Sequence, residues 1–163
     1  MDVRQDEDAL ASAELRAVKV AGPPVAGAVQ ALHAACDAKS RVAVVSNNSS
    51  DCVKEFLAIN GIAGLVNEVI GRPRPRPDRM KPAPYPLLAA AQALGVEPAE
   101  MVLIGDAVTD VEAAMAATAR SIGFANKPLK RSTLADAGAD VVILDMQAVA
   151  DALVLLGPPD RHA

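Results

Sequence analysis

Residues 103–114 read LIGDAVTDVEAA: an apolar run stops at Gly105, and two aspartates come next, Asp106 and Asp110, four residues apart. The run has the composition of the end of a buried strand. The stretch after it, VTDVEAAMAATA, has the apolar spacing of a helix. In an open parallel sheet, ligands bind beyond the carboxyl ends of the strands. Two acids one helical turn apart at such an end are therefore the first candidate site. Taken singly, each has an ordinary explanation. Asp106 could cap the helix that begins near Val108, and Asp110 could be a solvated acid on that helix.

Outward from this stretch the same grammar repeats. RVAVVS (41–46), NEVIG (67–71), EMVLIG (100–105), SIGFA (121–125) and DVVIL (140–144) are strand-sized runs rich in β-branched residues. Between them lie helix-sized runs. GPPVAGAVQALHAACDAKS (22–40) has Pro24 near its expected first turn and Val25, Val29 and Leu32 on one face. SSDCVKEFLAIN opens with capping residues and ends at Gly61, and YPLLAAAQALG is stopped by Gly95. LKRSTLADAG and MQAVADALVLL complete the series, and residues 6–18 suit a short helix or a loose arm. Strictly alternating strands and helices call for an α/β fold, a doubly wound, mostly parallel, Rossmann-like sheet. RPRPRPDRMKPAP (72–84) holds too many prolines for a helix interior or a central strand, so it is a loop.

Composition agrees. The chain has 163 residues, enough for one domain, and 52% are apolar. Aromatics are only 2% and Trp is absent, so Val, Ile, Leu and Ala must build the core. The net charge of −4 argues against a nucleic-acid footprint, which is basic. No run reaches the length of about 18 apolar residues that spans a bilayer. The acidic start MDVRQDEDAL lacks the apolar centre of a secretion signal, so the expected compartment is the cytoplasm. Cys36 and Cys52 lie in no metal or redox motif and read as free thiols.

The residues just past each strand carry the chemistry. After RVAVV come Ser46, Asn47 and Asn48; after NEVIG comes the loop ending in Lys81-Pro82; after MVLIG come the two aspartates. Hydroxyl and amide donors, a cation and a carboxylate pair thus gather at one sheet edge. Ser46 and the N–H groups of the next helix suit phosphate oxygens, and Lys81 adds a point charge. Mg²⁺ usually binds through one or two carboxylates plus a phosphate, keeping several waters. Asp106 and Asp110 can supply the carboxylates. Ser46 and Ser49 could each instead be no more than a turn or capping residue. The Pro/Arg loop, with Arg72, Arg74, Arg76 and Arg79, is either a stiff, solvated surface segment or an attractor for an anionic substrate. Asn126 and Lys127 could border the pocket, and His33 reads as a surface or packing residue.

Over about residues 22–150 the chain resembles the haloacid dehalogenase (HAD) superfamily of phosphatases. VAVVSNNS is similar to that family's second motif, Lys81 in MKPAP to its third, and LIGDAVTDVEAA to its fourth, a strand followed by G-D-x-x-x-D. PPVAGAVQAL and GFANKP also look familiar. The resemblance implies phosphoryl transfer to an aspartate. Ser46, with Asn47, would bind the phosphoryl group, and Lys81 would steady nucleophile and phosphate. Asp106 would bind Mg²⁺ directly, and Asp110 directly or through water. The implied substrate is a small phosphorylated metabolite.

The family's first motif, an apolar strand running into D-x-D, has no counterpart. Asp6-Glu7-Asp8 is the sole D-x-D, and the polar MDVRQ before it cannot make a central strand. The expected layout is an N-terminal arm or cap-helix remnant over 1–21, a HAD-like core over 22–156, and a frayed tail over 157–163. In that family the first-motif strand lies in mid-sheet, between the strands of the second and fourth motifs, so the resemblance implies a gap there. Direct pairing of those neighbours or a partly open sheet is the first expectation. Filling by the N-terminal arm, or strand exchange with another chain or a homodimer partner, comes after. The functions to weigh are a Mg²⁺-dependent phosphatase, a catalytically inactive phosphate- or metal-binding module, and a phosphate-receiving signalling domain, against which the G-D-x-x-x-D order argues.

Overall fold

The Val/Ile runs form strands and the Ala/Leu runs form helices in the computed structural model, which describes residues 3–74 and 76–157. The helices are α1 (Val3–Val18), α2 (Ala28–Asp37), α3 (Ser50–Ile59), α4 (Tyr85–Leu94), α5 (Val108–Ala116), α6 (Lys130–Asp136) and α7 (Gln147–Leu156). The strands are β1 (Ala43–Val45), β2 (Glu68–Ile70), β3 (Val102–Gly105), β4 (Arg120–Phe124) and β5 (Val141–Ile143). The tail expected to fray lies, apart from Gly157, outside the described residues.

The helix signals work locally. Ser49 caps α3, its hydroxyl accepting from the Cys52 N–H at 3.3 Å. Gly95 ends α4 in the left-handed region at φ 66°, which glycine adopts without a Cβ penalty. α2 departs from expectation. It starts at Ala28, four residues after Pro24. Gly27 has φ 81°, and a Cβ there would lie 2.3 Å from the Gln147 backbone N. Close packing of α2 on α7 thus sets the helix start. The N-terminal segment is a continuous 16-residue helix, not a loose arm.

All strand pairs are parallel, as the alternation requires, but they form two sheets: β1-β2 and β3-β4-β5. β1 and β3 are not hydrogen-bonded to each other, and α1 is helical, so neither direct closure nor a strand from the arm occurs. The sheet is open in the middle. A shared apolar layer spans the opening. Val45 of β1 and Leu103 of β3 pack on one buried cluster of Leu87 from α4 and Ala113, Ala114 and Ala117 at α5. Val53 and Leu57 of α3 pack with Val44 and Val69 on the first sheet. Val111 and Leu134 pack with Val142 against the second. Among the described residues, no helix is long and apolar enough to cross a membrane.

Candidate active site

Beyond β3 the backbone turns sharply into α5, and Gly105 makes the turn possible by size. A Cβ at Gly105 would meet Asp110 Oδ2 at 2.4 Å and its Cβ and Cγ at 2.5 Å. Asp110 folds back under the turn: Oδ2 accepts from the Ala107 N–H at 3.1 Å, and Oδ1 meets Lys81 Nζ at 2.6 Å. Only 7% of Asp110 is exposed, so it is not a solvated helix acid. It, rather than Asp106, caps the start of α5, where Ala107 holds the cap position. Asp106 is left facing outward. Its Oδ2 accepts from Lys130 Nζ at 2.6 Å and from Asn126 Nδ2 at 3.0 Å. The Lys130 ammonium holds the Asp106 carboxyl below the usual carboxylate range, against the smaller opposing effect of partial burial.

Lys81 ties the two sheets together. Its ammonium, besides meeting Asp110, donates to the Val45 carbonyl at the end of β1, 3.2 Å away. Its main chain is clamped by Asn47: the Lys81 N–H donates to Oδ1 at 3.0 Å, and Nδ2 donates to the Lys81 carbonyl at 3.2 Å. The Asn47 side chain therefore positions Lys81 and leaves Asn47 a main-chain role toward any phosphate. Ser46 Oγ accepts from the Asn48 N–H at 3.1 Å, shaping the turn after β1. The turn after β2 is held equally closely. Gly71 N–H donates to Ser50 Oγ at 3.1 Å, and a Cβ at Gly71 would lie 2.3 Å from the Ser50 backbone N.

The Pro/Arg loop does not present free cations. Arg74 pairs with Asp8 at 3.0 Å, Arg76 with Asp78 at 2.7 Å, and Arg79 lies over the Tyr85 ring, 4.7 Å from its centroid. Arg72 is buried. It pairs with Glu7 at 3.0 Å and Glu14 at 2.5 Å, both from α1, and donates to the Asn47 carbonyl at 3.0 Å. Glu14 in turn accepts from the Ser49 N–H at 2.9 Å. Burial pushes the Glu14 carboxyl up, but the Arg72 guanidinium and the Ser49 N–H outweigh it and hold it low. Acids of α1, two of them in the D-x-D segment, thus dock that helix onto the loop beside the candidate phosphate turn. Reading each segment alone missed this pairing of an acidic helix with a basic loop. Their opposite charges were the available signal.

The four principal candidates come from three segments: Lys81 joins the end of β1, next to Ser46, to Asp110, and Asp106 lies on the same turn as Asp110. Asn126 borders a depression of about 370 Å³ lined also by Lys127, Pro128 and Arg131. Lys130 was not singled out from sequence, although it lies three residues after Lys127 at the start of α6. His33 is on the exposed side of α2. Among the described residues, no three His, Cys, Asp or Glu side chains gather to cage a metal. Two carboxylates from one turn suit a hydrated Mg²⁺ that takes its other oxygens from phosphate and water.

A model of the haloacid dehalogenase-like hydrolases matches residues 2–118. The phosphoglycolate phosphatase of Salmonella paratyphi A is 35% identical over 102 residues, covering 63% of this chain and 38% of that protein. That of Pectobacterium atrosepticum is 32% identical over 124 residues, covering 74% of this chain and 50% of that protein. The chain thus spans half or less of the length of these relatives. A HAD family hydrolase from Deinococcus radiodurans R1, solved with bound phosphate and sodium, superposes with a TM-score of 0.70 at 29% identity, covering 82% of this chain and 61% of that one.

Proposed function

The chain belongs to the haloacid dehalogenase-like hydrolase family, and on that premise we propose that it forms the phosphate- and Mg²⁺-binding part of a phosphatase for a small phosphorylated metabolite. The observation that carries this reading is Lys81, whose ammonium joins the Val45 carbonyl at the end of β1 to the Asp110 carboxylate after β3. A cation held there lies between the end of β1, just before Ser46, and Asp110 of the fourth motif. Ser46 and the main-chain N–H groups of its turn would bind the phosphoryl oxygens, and Lys81 would neutralise charge developing on them. Asp106 and Asp110 would hold Mg²⁺, which supplies further charge stabilisation to the phosphate when bound.

The attacking carboxylate comes from elsewhere. Asp6 lies on α1, and Asp106 and Asp110 are engaged by lysines. The unpaired edges of β1 and β3 suit a parallel strand, delivered by a further segment or another chain, with an aspartate at its carboxyl end. One oxygen of that aspartate attacks phosphorus, the bond to the leaving alcohol oxygen breaks, and an acid protonates that oxygen. Water then hydrolyses the acyl phosphate, returning the carboxylate and inorganic phosphate. The free Cys36 and Cys52 suit work in the cytoplasm. A second reading, a phosphate- and metal-binding module without turnover, is favoured by the same lack of a third acid in the cluster among the described residues.

The test compares the 163-residue chain with a version carrying an N-terminal apolar strand that ends in D-x-D. Mg²⁺-dependent hydrolysis of an aryl phosphate should appear only in the extended protein. It should vanish on replacing the first aspartate of that strand or on Asp106→Asn. Phosphate binding without turnover in either protein would favour the module. Failure of both proteins to bind phosphate with Mg²⁺ would overturn the reading.

A further inference from the structure

The cluster at the sheet edge is already electrically balanced by protein groups. Asp110 is met by Lys81 and Asp106 by Lys130, each at 2.6 Å, so two carboxylates face two ammonium groups. The two pairs differ in burial. The side chains of Lys81 and Asp110 are 12% and 10% exposed, and Lys81 is also tied to the Val45 carbonyl. Lys130 and Asp106 are 33% and 47% exposed, and Lys130 is at the first turn of α6 with open solvent beside it. One ammonium is fixed in the fold, whereas the other can leave.

We infer that Lys130 is an internal counter-cation that shields Asp106 and makes Mg²⁺ binding conditional on phosphate. The inference rests on the functional reading above. A divalent ion reaching Asp106 must displace Lys130, and it enters beside two positive groups that cancel the pull of the two acids. A phosphate dianion at Ser46 and Lys81 restores the attraction and gives the displaced Lys130 a new counter-ion. Metal and phosphate therefore bind cooperatively, each raising the affinity of the other by the same factor. Removing the Lys130 charge uncovers Asp106 and lets Mg²⁺ bind alone. The pair is partly solvated, so the gain is about tenfold rather than thousands-fold.

The experiment titrates the full chain calorimetrically with MgCl₂ alone, with inorganic phosphate alone, and with each in the presence of the other. Wild type should bind Mg²⁺ about tenfold more tightly when phosphate is present, with the reciprocal gain for phosphate. Lys130→Met should bind Mg²⁺ alone about tenfold more tightly than wild type, with the coupling reduced toward one. Lys130→Arg should behave as wild type. Circular dichroism checks that the variants are folded. If Lys130→Met and wild type bind Mg²⁺ alone with equal affinity, and both bind phosphate, the inference is overturned while the functional reading stands. If neither ligand binds either protein, singly or together, the functional reading falls and takes the inference with it.

Discussion

Replacing Arg72 with Met tests whether α1 is part of the site's framework. Met keeps an unbranched apolar stem of similar reach but removes the guanidinium. Three contacts go: to Glu7 at 3.0 Å, to Glu14 at 2.5 Å and to the Asn47 carbonyl at 3.0 Å. The Arg72, Glu7 and Glu14 side chains are 5%, 17% and 12% exposed, so the two carboxylates left behind are poorly solvated. Removing one partner of a buried ion pair costs about 3–5 kcal/mol. For a domain of this size, that lowers Tm by about 6–20 °C. Glu14→Gln is milder, since the amide still accepts from the Ser49 N–H, and should cost about 1–2 kcal/mol. The assay is urea and thermal unfolding of both single variants and the double variant, followed by circular dichroism. The double-mutant cycle should return a coupling of about 1–3 kcal/mol. The Arg72→Met penalty should also shrink in acid. Without the guanidinium, the Glu14 carboxyl loses the partner that holds it low and its folded-state pKa rises, so the penalty present at neutral pH fades as pH falls through the raised value. Arg72→Met within about 1 kcal/mol of wild type, or a coupling near zero, would refute the claim that this network docks α1.

Gly105→Ala should cost about 2–4 kcal/mol in urea unfolding. The new Cβ, 2.4 Å from Asp110 Oδ2, must push that side chain off the Ala107 N–H and Lys81. The Asp106 carboxyl should titrate by NMR below the usual carboxylate value of about 3.9, and Lys130→Met should raise it. Because the folded value is the depressed one, the contribution of Asp106 to stability is complete above the unfolded value and is lost as pH falls through the folded value. Lys81→Met should leave Asp110 buried without its counter-ion and cost about 3–5 kcal/mol, read from the same unfolding curves.

The alternation of Val/Ile and Ala/Leu runs made the layered α/β fold legible, because buried parallel strands and helices need different side chains. Capping by Ser49 and the stop at Gly95 were legible because both act within one turn of chain. The start of α2 was not, since it depends on the approach of Gly27 to Gln147, which is remote in sequence. The same limit governs the site. Ser46, Lys81, Asp106 and Asp110 are candidates because each closely follows a strand or a proline loop and ligands gather beyond strand ends. Lys130, Glu14 and Arg72 act through long-range ion pairs. Local pattern does not reveal such pairs, so the loop arginines read as a solvated segment or an anion attractor and not as partners of α1. The alternative reading of Asp110 as a solvated helix acid fails for a related reason. Its burial is produced by the turn at Gly105, which folds the side chain back beneath the backbone.

Among the described residues no strand joins β1 to β3, so other features must keep the corners of the site together. Backbone groups on a buried, unpaired strand edge are costly, so the opening should tend to collapse or to splay. Two features oppose both. On one face, Val45 and Leu103 sit on a single buried cluster built from Leu87, Ala113, Ala114 and Ala117, so either sheet can shift only by uncovering apolar surface. At the carboxyl ends, Lys81 satisfies the Val45 carbonyl and the Asp110 carboxylate with one ammonium. The apolar layer fixes the spacing of the sheets, and the lysine fixes the alignment of their ends. A strand entering the opening would meet edges already held in place. Lys81→Met should accordingly weaken phosphate binding by more than the loss of one charge contact explains, because it also frees β1 to move against β3. A calorimetric phosphate affinity reduced only as far as Ser46→Ala reduces it would show that the apolar layer aligns the sheets without the lysine.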